Sequence, residues 1–274
     1  MKDLKKIPKS LKNGDYIVSS DVGYWGVFGG CSNLKTVTFE KGTTRVAKAL
    51  FTGCDGLEEI TLPDTVVAIG NNAFSECTNL KSVTMPEGLK EIQNGAFSYC
   101  TSLGSVYVPD TVDSMGTSIF SNCSKLKTAH LPNIRVNLKA STFYGCVKLE
   151  EVNLPDTLNA IENSAFYQCK SLREIIIPVG VKTLGYRAFY DCEALETVVL
   201  PDGLTSMGTE CFRECSLLEN VTIGSGLKTI PTGTFRGTFV NNIVIPDTVS
   251  KIDDYAFAEC VNLKKITIPE SVTS

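Results

Sequence analysis

The stretch AFSECTNLKSVTMP, residues 73–86, sets Phe74 three residues before Cys77, follows them with Leu80, and closes an alternating apolar run at Pro86. The same order returns along the chain. Phe28, Phe51, Phe74, Phe97, Phe120, Phe143, Phe166, Phe189, Phe212 and Phe235 are each 23 residues apart, and Phe257 follows after 22. The missing residue falls in TFRGTFVNNIVIP, residues 234–246, which has lost the usual cysteine and leucine spacing. An internal period of this length decides the architecture before any single motif is weighed.

Each unit has the same local grammar. A leucine follows the Phe-x-x-Cys pair (Leu34, Leu57, Leu80, Leu103 and onward), then a short run such as ITL at 60, VYV at 106 or VTI at 221. Alternation with β-branched residues predicts a half-buried strand. Proline comes next in nine of eleven units, with Glu40 and Gly224 the exceptions; lacking an N–H, it ends the strand's ladder. A turn such as DTV or EGL leads to a second apolar pair, Val66 with Ile69 or Leu89 with Ile92. The small residue before each Phe, often Ala, predicts a tight helical turn.

A unit this short cannot bury its own apolar face, so neighbouring coils must stack to make a continuous core. Equivalent strands would then lie parallel at roughly 4.8 Å spacing, giving a sheet on the order of 50 Å long. Phe, Cys, Leu and the first and third strand residues are predicted to point inward, and the middle strand residues outward.

The pattern F-x-x-C-x-x-L-x-x-h-x-h-P, with h apolar, resembles the BspA-type leucine-rich repeat, also called the Treponema pallidum type, over residues 28–274. The resemblance implies an α/β repeat solenoid: a right-handed leucine-rich-repeat superhelix with a parallel β-sheet on its concave face, and short strands or helical turns elsewhere. It also implies a protein of bacterial surfaces or of some parasitic protists, engaged in adhesion to host proteins or other cells. The expected organisation is an N-terminal cap over residues 1–27, with Trp25 packed on the first coil. Eleven repeats of 22–23 residues follow over 28–274, the last incomplete. An uncapped last coil exposes a strand edge, so a longer parent chain or self-association through that edge is expected.

Ten of the eleven cysteines occupy the repeat position, and Cys211 takes the small-residue position before Phe212. A metal site does not fit: there is no C-x-x-C, one histidine only, and the repeat spreads thiols along a line, whereas zinc ligands converge on a point. Disulfides between adjacent rungs would need Cβ atoms about 3.5–4.5 Å apart, and side chains stacked at strand spacing sit near 5 Å. The preferred reading is a column of small buried thiols. His130, the single histidine, lies at a middle strand position with no nucleophile elbow nearby, and no Gly-rich phosphate loop occurs. Glu58-Glu59 and Glu150-Glu151 lie on an open surface, without the enclosed cleft that acid–base pairs need. An enzyme is not expected, and neither is a cofactor or metal.

Binding is sought where outward columns depart from their background. Threonine is the background residue of the middle strand column, and Tyr107, His130, Asn153, Ile176 and Val199 depart from it in succession. Glu150, Glu151, Arg173, Glu174, Glu196 and Glu219 flank them as a mostly acidic strip. These residues are either a partner-binding patch or ordinary solvated strand positions. A second column changes from small residues to Tyr144, Tyr167 and Tyr190, then Arg213 and Arg236; it is either a lateral contact stripe or, preferably, a shield over the phenylalanines.

The 274-residue chain is 43% hydrophobic with a formal net charge of -4, which offers no basic footprint for nucleic acid or anionic membrane. No apolar run reaches the roughly 18 residues a membrane helix needs, so direct membrane insertion is not expected. The expected partner is a protein, either host extracellular matrix or another cell surface, and the expected location is cell-surface or secreted. The competing function is a structural spacer in a larger surface protein.

Overall fold

The computed structural model describes residues 15–18, 26–133 and 137–273. Ten of the eleven coils contribute one strand to a main parallel ladder, including Glu59–Thr61, Ser82–Thr84, Ser105–Tyr107, Thr128–His130, Thr197–Val199 and Lys265–Thr267, and the remaining coil keeps a single bridge at Glu174. Register advances by one repeat, so Glu59 faces Ser82 and Ser105 faces Thr128, which in turn faces Glu151. A second parallel ladder of two-residue strands runs alongside. There Arg45 faces Ala68, then Glu91, then Ser114. The chain is thus a β-solenoid of stacked coils. Strand Asp15–Val18 adds one more parallel partner, pairing with Thr36–Phe39. Residues 1–14 and 19–25 of the expected cap, Trp25 included, lie outside the described residues.

The α/β expectation is corrected: among the described residues there is no helix. The reason lies in two positions per coil. The residues two before and two after every repeat phenylalanine have positive φ, as at Asn72 (54°) and Glu76 (61°) around Phe74, or Gly233 and Gly237 around Phe235. A left-handed residue cannot continue an α-helix. With left-handed residues only four apart, the backbone between them turns every second N–H toward the following coil. The N–H groups of Asn72, Phe74 and Glu76 donate to the carbonyls of Asn94, Ala96 and Ser98 at 2.9, 2.8 and 2.7 Å. The turn that looked helical is a third inter-coil hydrogen-bond ladder.

Inside these ladders the apolar columns are continuous. The eleven phenylalanine rings stack in one file from Phe28 to Phe257, with centroids 5.1–5.9 Å apart. Strand residues alternate as expected: Ile60 and Leu62 are buried while Thr61 is exposed. At the one-residue deletion Val240 is fully buried in the usual leucine's place. Thr238 stands for the missing cysteine, its hydroxyl turned to its own coil's Phe235 carbonyl at 2.8 Å.

Nine of the cysteines share one partner type. The Cys77 thiol donates to the Phe51 carbonyl of the preceding coil at 3.1 Å, and Cys54, Cys100, Cys123, Cys146, Cys169, Cys192, Cys215 and Cys260 repeat the contact at 3.0–3.3 Å. The same phenylalanine carbonyls accept the N–H three residues on, as Cys54 to Phe51 at 3.1 Å. A carbonyl has two lone pairs, and the thiol uses the second. All eleven cysteines are free.

Candidate binding face

The middle strand residues face solvent because their neighbours on both sides fill the core. Tyr107 is 51% exposed, Val199 55% and Ile176 84%. Exposed aliphatic side chains of this size on one sheet face are the feature to explain, since scattered polar residues there would need no account.

The five successive positions do different things. Tyr107 and His130 stack face to face, centroids 4.5 Å apart and 9° from parallel. His130 is half-buried by this contact, and its Nε2 has no hydrogen-bond partner among the described residues. Asn153 is occupied internally. Its side-chain oxygen accepts the Leu131 N–H at 2.7 Å and its amide donates to the Leu131 carbonyl at 3.1 Å. Elsewhere the backbone carbonyl of the equivalent residue serves that N–H, as His130 does for Val108. Asn153 is therefore a bracket between coils rather than a free contact residue. Ile176 and Val199 stand on the outer face beside the acidic strip.

The main ladder opens beside that strip. The Glu150 N–H donates to the Lys127 carbonyl and the Glu196 N–H to the Arg173 carbonyl, but no backbone bond joins Arg173 to Glu150, and residue 174 keeps only a bridge to Thr197. Glu151 and Glu174 occupy equivalent positions on either side of the gap, so like charges face one another there, an arrangement that disfavours pairing; the pairing also lapses between Thr36–Phe39 and Glu59–Thr61, where no like charges are opposed. Neither forms an ion pair among the described residues, whereas Glu150 pairs with Lys127 at 3.6 Å. A groove of about 750 Å³ follows the gap, lined by Glu150, Glu151, Lys170, Arg173, Glu174 and Glu196 among others. Lys170 is already held by Asp191 at 3.2 Å and by Glu193, so the groove keeps a negative balance.

A second groove of about 770 Å³ adjoins it, with Ile176, Val179, Val199, Pro201, Gly203 and Gly224 in its lining. Val179 is 81% exposed and was missed by the reading of columns. Its signal was available: seven of the other coils place Asp or Glu after the strand-ending proline, as at Pro63-Asp64 and Pro201-Asp202, and this coil reads Pro178-Val179.

The lateral tyrosines spend their ring faces on one another. Tyr144, Tyr167 and Tyr190 stack at 4.6 and 4.8 Å, within 5° of parallel. Burial and the flanking tyrosines raise the Tyr167 hydroxyl above its ordinary pKa. Arg187 lies 4.8 Å over Tyr186 and 5.0 Å over Tyr190, while its guanidinium is tied to Glu210 at 2.6 Å. Arg213 joins the same carboxylate at 2.6 Å.

Most of the buried thiols are chemically quiet. Burial pushes Cys54 up to about 12 and the cysteines deeper in the file higher still, the opposite of what an activated nucleophile requires. Among the described residues no three His, Cys, Asp or Glu side chains are placed to hold a metal ion, and no helix is long and apolar enough to cross a membrane.

Comparison with known proteins agrees with the coil-by-coil picture. The family model for the BspA type leucine rich repeat region matches in six copies, over residues 25–136, 136–243 and 228–274. Among solved structures, a leucine-rich repeat protein from Bacteroides ovatus is similar with a TM-score of 0.66 and 25% identity, over 96% of this chain and 83% of that one. The T. pallidum leucine rich repeat protein is similar with a TM-score of 0.52 and 28% identity, over 76% of this chain and 85% of that one. A leucine rich cell surface protein from Faecalibacterium prausnitzii shares the fold at 24% identity, with a TM-score of 0.53 and 94% and 74% coverage. No curated protein matches the chain.

Proposed function

The chain belongs to the BspA-type leucine-rich repeat family, and on that premise we propose that it is a non-catalytic protein-binding scaffold acting in adhesion or surface interaction. The observation that supports this is the exposed apolar cluster of Ile176, Val179 and Val199 set against an acidic groove on the outer sheet face. Large apolar side chains held in water on a rigid sheet are poised for burial by a partner. A cell-surface or secreted location, and a partner on host matrix or another cell, follow from the family's association with bacterial surfaces.

The test is binding of the purified chain to immobilised matrix proteins and to whole cells. It compares wild type with a variant carrying Glu151→Lys, Glu174→Lys and Tyr107→Ala. Loss of binding in the variant supports the scaffold. The unbroken phenylalanine file, which makes each coil a rigid continuation of the last, favours a second reading as a structural spacer, and binding that is unchanged by the triple substitution would favour it.

A further inference from the structure

We infer that the partner of this face is a basic polypeptide segment carrying an aliphatic or aromatic anchor. The anchor fills the Ile176–Val179–Val199 groove, and flanking lysines or arginines meet the carboxylates beside it. The inference rests on the protein-binding reading and adds the chemistry of the occupant.

Two observations meet here. The groove is apolar where a ligand would enter it: Ile176 and Val179 are more than four-fifths exposed, and Val199 is about half exposed. Gly203 and Gly224 in its lining add no side chains that would fill it. Its rims are acidic. Glu174 belongs to both grooves, Glu151 and Glu196 extend the negative side, and Asp202 stands on the far rim. Hydrogen bonds from the Ser225 N–H and hydroxyl lower the Asp202 pKa and keep it ionised. Arg173 and Lys182, which lies over Gly203, are the neighbouring cations; Lys170 is committed to Asp191 and Glu193.

Charge selects among occupants. A second copy pairing through the same face would oppose one acidic groove to another, and like-charge juxtaposition disfavours such a pair. An anionic lipid surface is disfavoured for the same reason. A basic segment gains attraction on approach and buries the exposed aliphatic surface on arrival.

The test uses the whole chain and three short fluorescein-labelled peptides, read by anisotropy at low and high salt. One alternates arginine and lysine around leucine and tryptophan anchors, one keeps the anchors with glutamate for every basic residue, and one keeps the basic residues with serine for every anchor. The expected result is saturable binding of the first peptide only, weakened by salt. An Ile176→Thr/Val179→Ser variant should weaken it by about tenfold or more. Both substitutions sit at exposed positions, so folding is preserved and circular dichroism confirms it. Equal or tighter binding of the acidic anchored peptide, lost in the double variant, would overturn the basic-partner inference while leaving the scaffold reading standing. Absence of any peptide binding that depends on Ile176 and Val179 would overturn this inference; if the triple variant of the preceding test also binds its targets unchanged, the scaffold reading falls with it.

Discussion

Replacing Phe143 by alanine should open the solenoid locally, and the chain carries its own position-resolved reporter. Phe143 is fully buried and stacks on Phe120 at 5.9 Å and Phe166 at 5.5 Å. Truncating a buried phenylalanine costs about 3–5 kcal/mol, and the two stacked contacts place this site toward the upper part of that range. Phe257 has one stacked neighbour, Phe235 at 5.6 Å, and is only partly buried, so Phe257→Ala should cost roughly half as much. Because each coil touches only its neighbours, destabilisation is greatest near the lesion. Nearly every coil contains a free cysteine, so maleimide labelling followed by peptide mass spectrometry reads opening coil by coil. A cost of about 4 kcal/mol corresponds to roughly a thousandfold faster labelling of Cys146. Cys123 and Cys169 should follow, and distant Cys54 should change by less than about tenfold. Equal acceleration at Cys54 and Cys146 would refute this reasoning, because it would mean that the array opens as one unit.

Other perturbations follow from the same contacts. Nine buried thiols have pKa values raised by burial, Cys54 to about 12. The unfolded thiols ionise near 9 and the folded ones do not, so this stability is complete below pH 9 and is lost as pH rises from there toward 12. The slope approaches about 1.4 kcal/mol per pH unit for each thiol, and thermal melts should fall steeply above pH 9; a melting temperature unchanged between pH 8 and pH 10.5 would contradict it. A Cβ on Gly226 would stand 2.3 Å from the Leu204 carbonyl oxygen and 2.4 Å from that of Asp202, whereas one on Gly104 meets nothing within 4 Å. Gly226→Ala should therefore cost about 1–3 kcal/mol in urea denaturation, and Gly104→Ala should be neutral or stabilising by up to about 1 kcal/mol. Glu174→Thr removes the like-charged neighbour of Glu151 at the open ladder and should stabilise by about 0.2–1 kcal/mol at low salt. Protection of the Arg173 amide in hydrogen exchange should rise as well, and no gain in either would mean that charge does not hold the gap open.

The spacing of Phe74, Cys77 and Leu80 was enough to lay out the stacked columns, because a fixed period with one deletion leaves the core few alternatives. Alternation at Ile60, Thr61 and Leu62 likewise separated inside from outside. The helical turn misled because alanine before phenylalanine favours helix locally, while the decisive feature is backbone conformation two residues to either side. Glycine or asparagine at those places, as at Gly26, Gly30, Asn72, Gly95, Asn122 and Gly145, carried the signal, since these residues accept positive φ most readily. Glu76 and Tyr99 adopt it without such a cue, held there by the bonds their N–H groups make to the next coil. At the outer face, exposure of Ile176 and Val199 was legible from alternation. The bracketing role of Asn153 was not, because it depends on where one backbone N–H finds its acceptor.

The thiols act as stacking donors rather than bridges or nucleophiles, and a thiol count tests this most directly. Titration with dithionitrobenzoate, without reductant, compares the native chain with the chain in guanidinium. The prediction is eleven reactive thiols after unfolding, matching the eleven free cysteines. In the native chain only the half-buried Cys31 should react promptly. A count near one in the unfolded chain would mean that adjacent rungs are bridged, and would contradict the ladder of thiol-to-carbonyl hydrogen bonds.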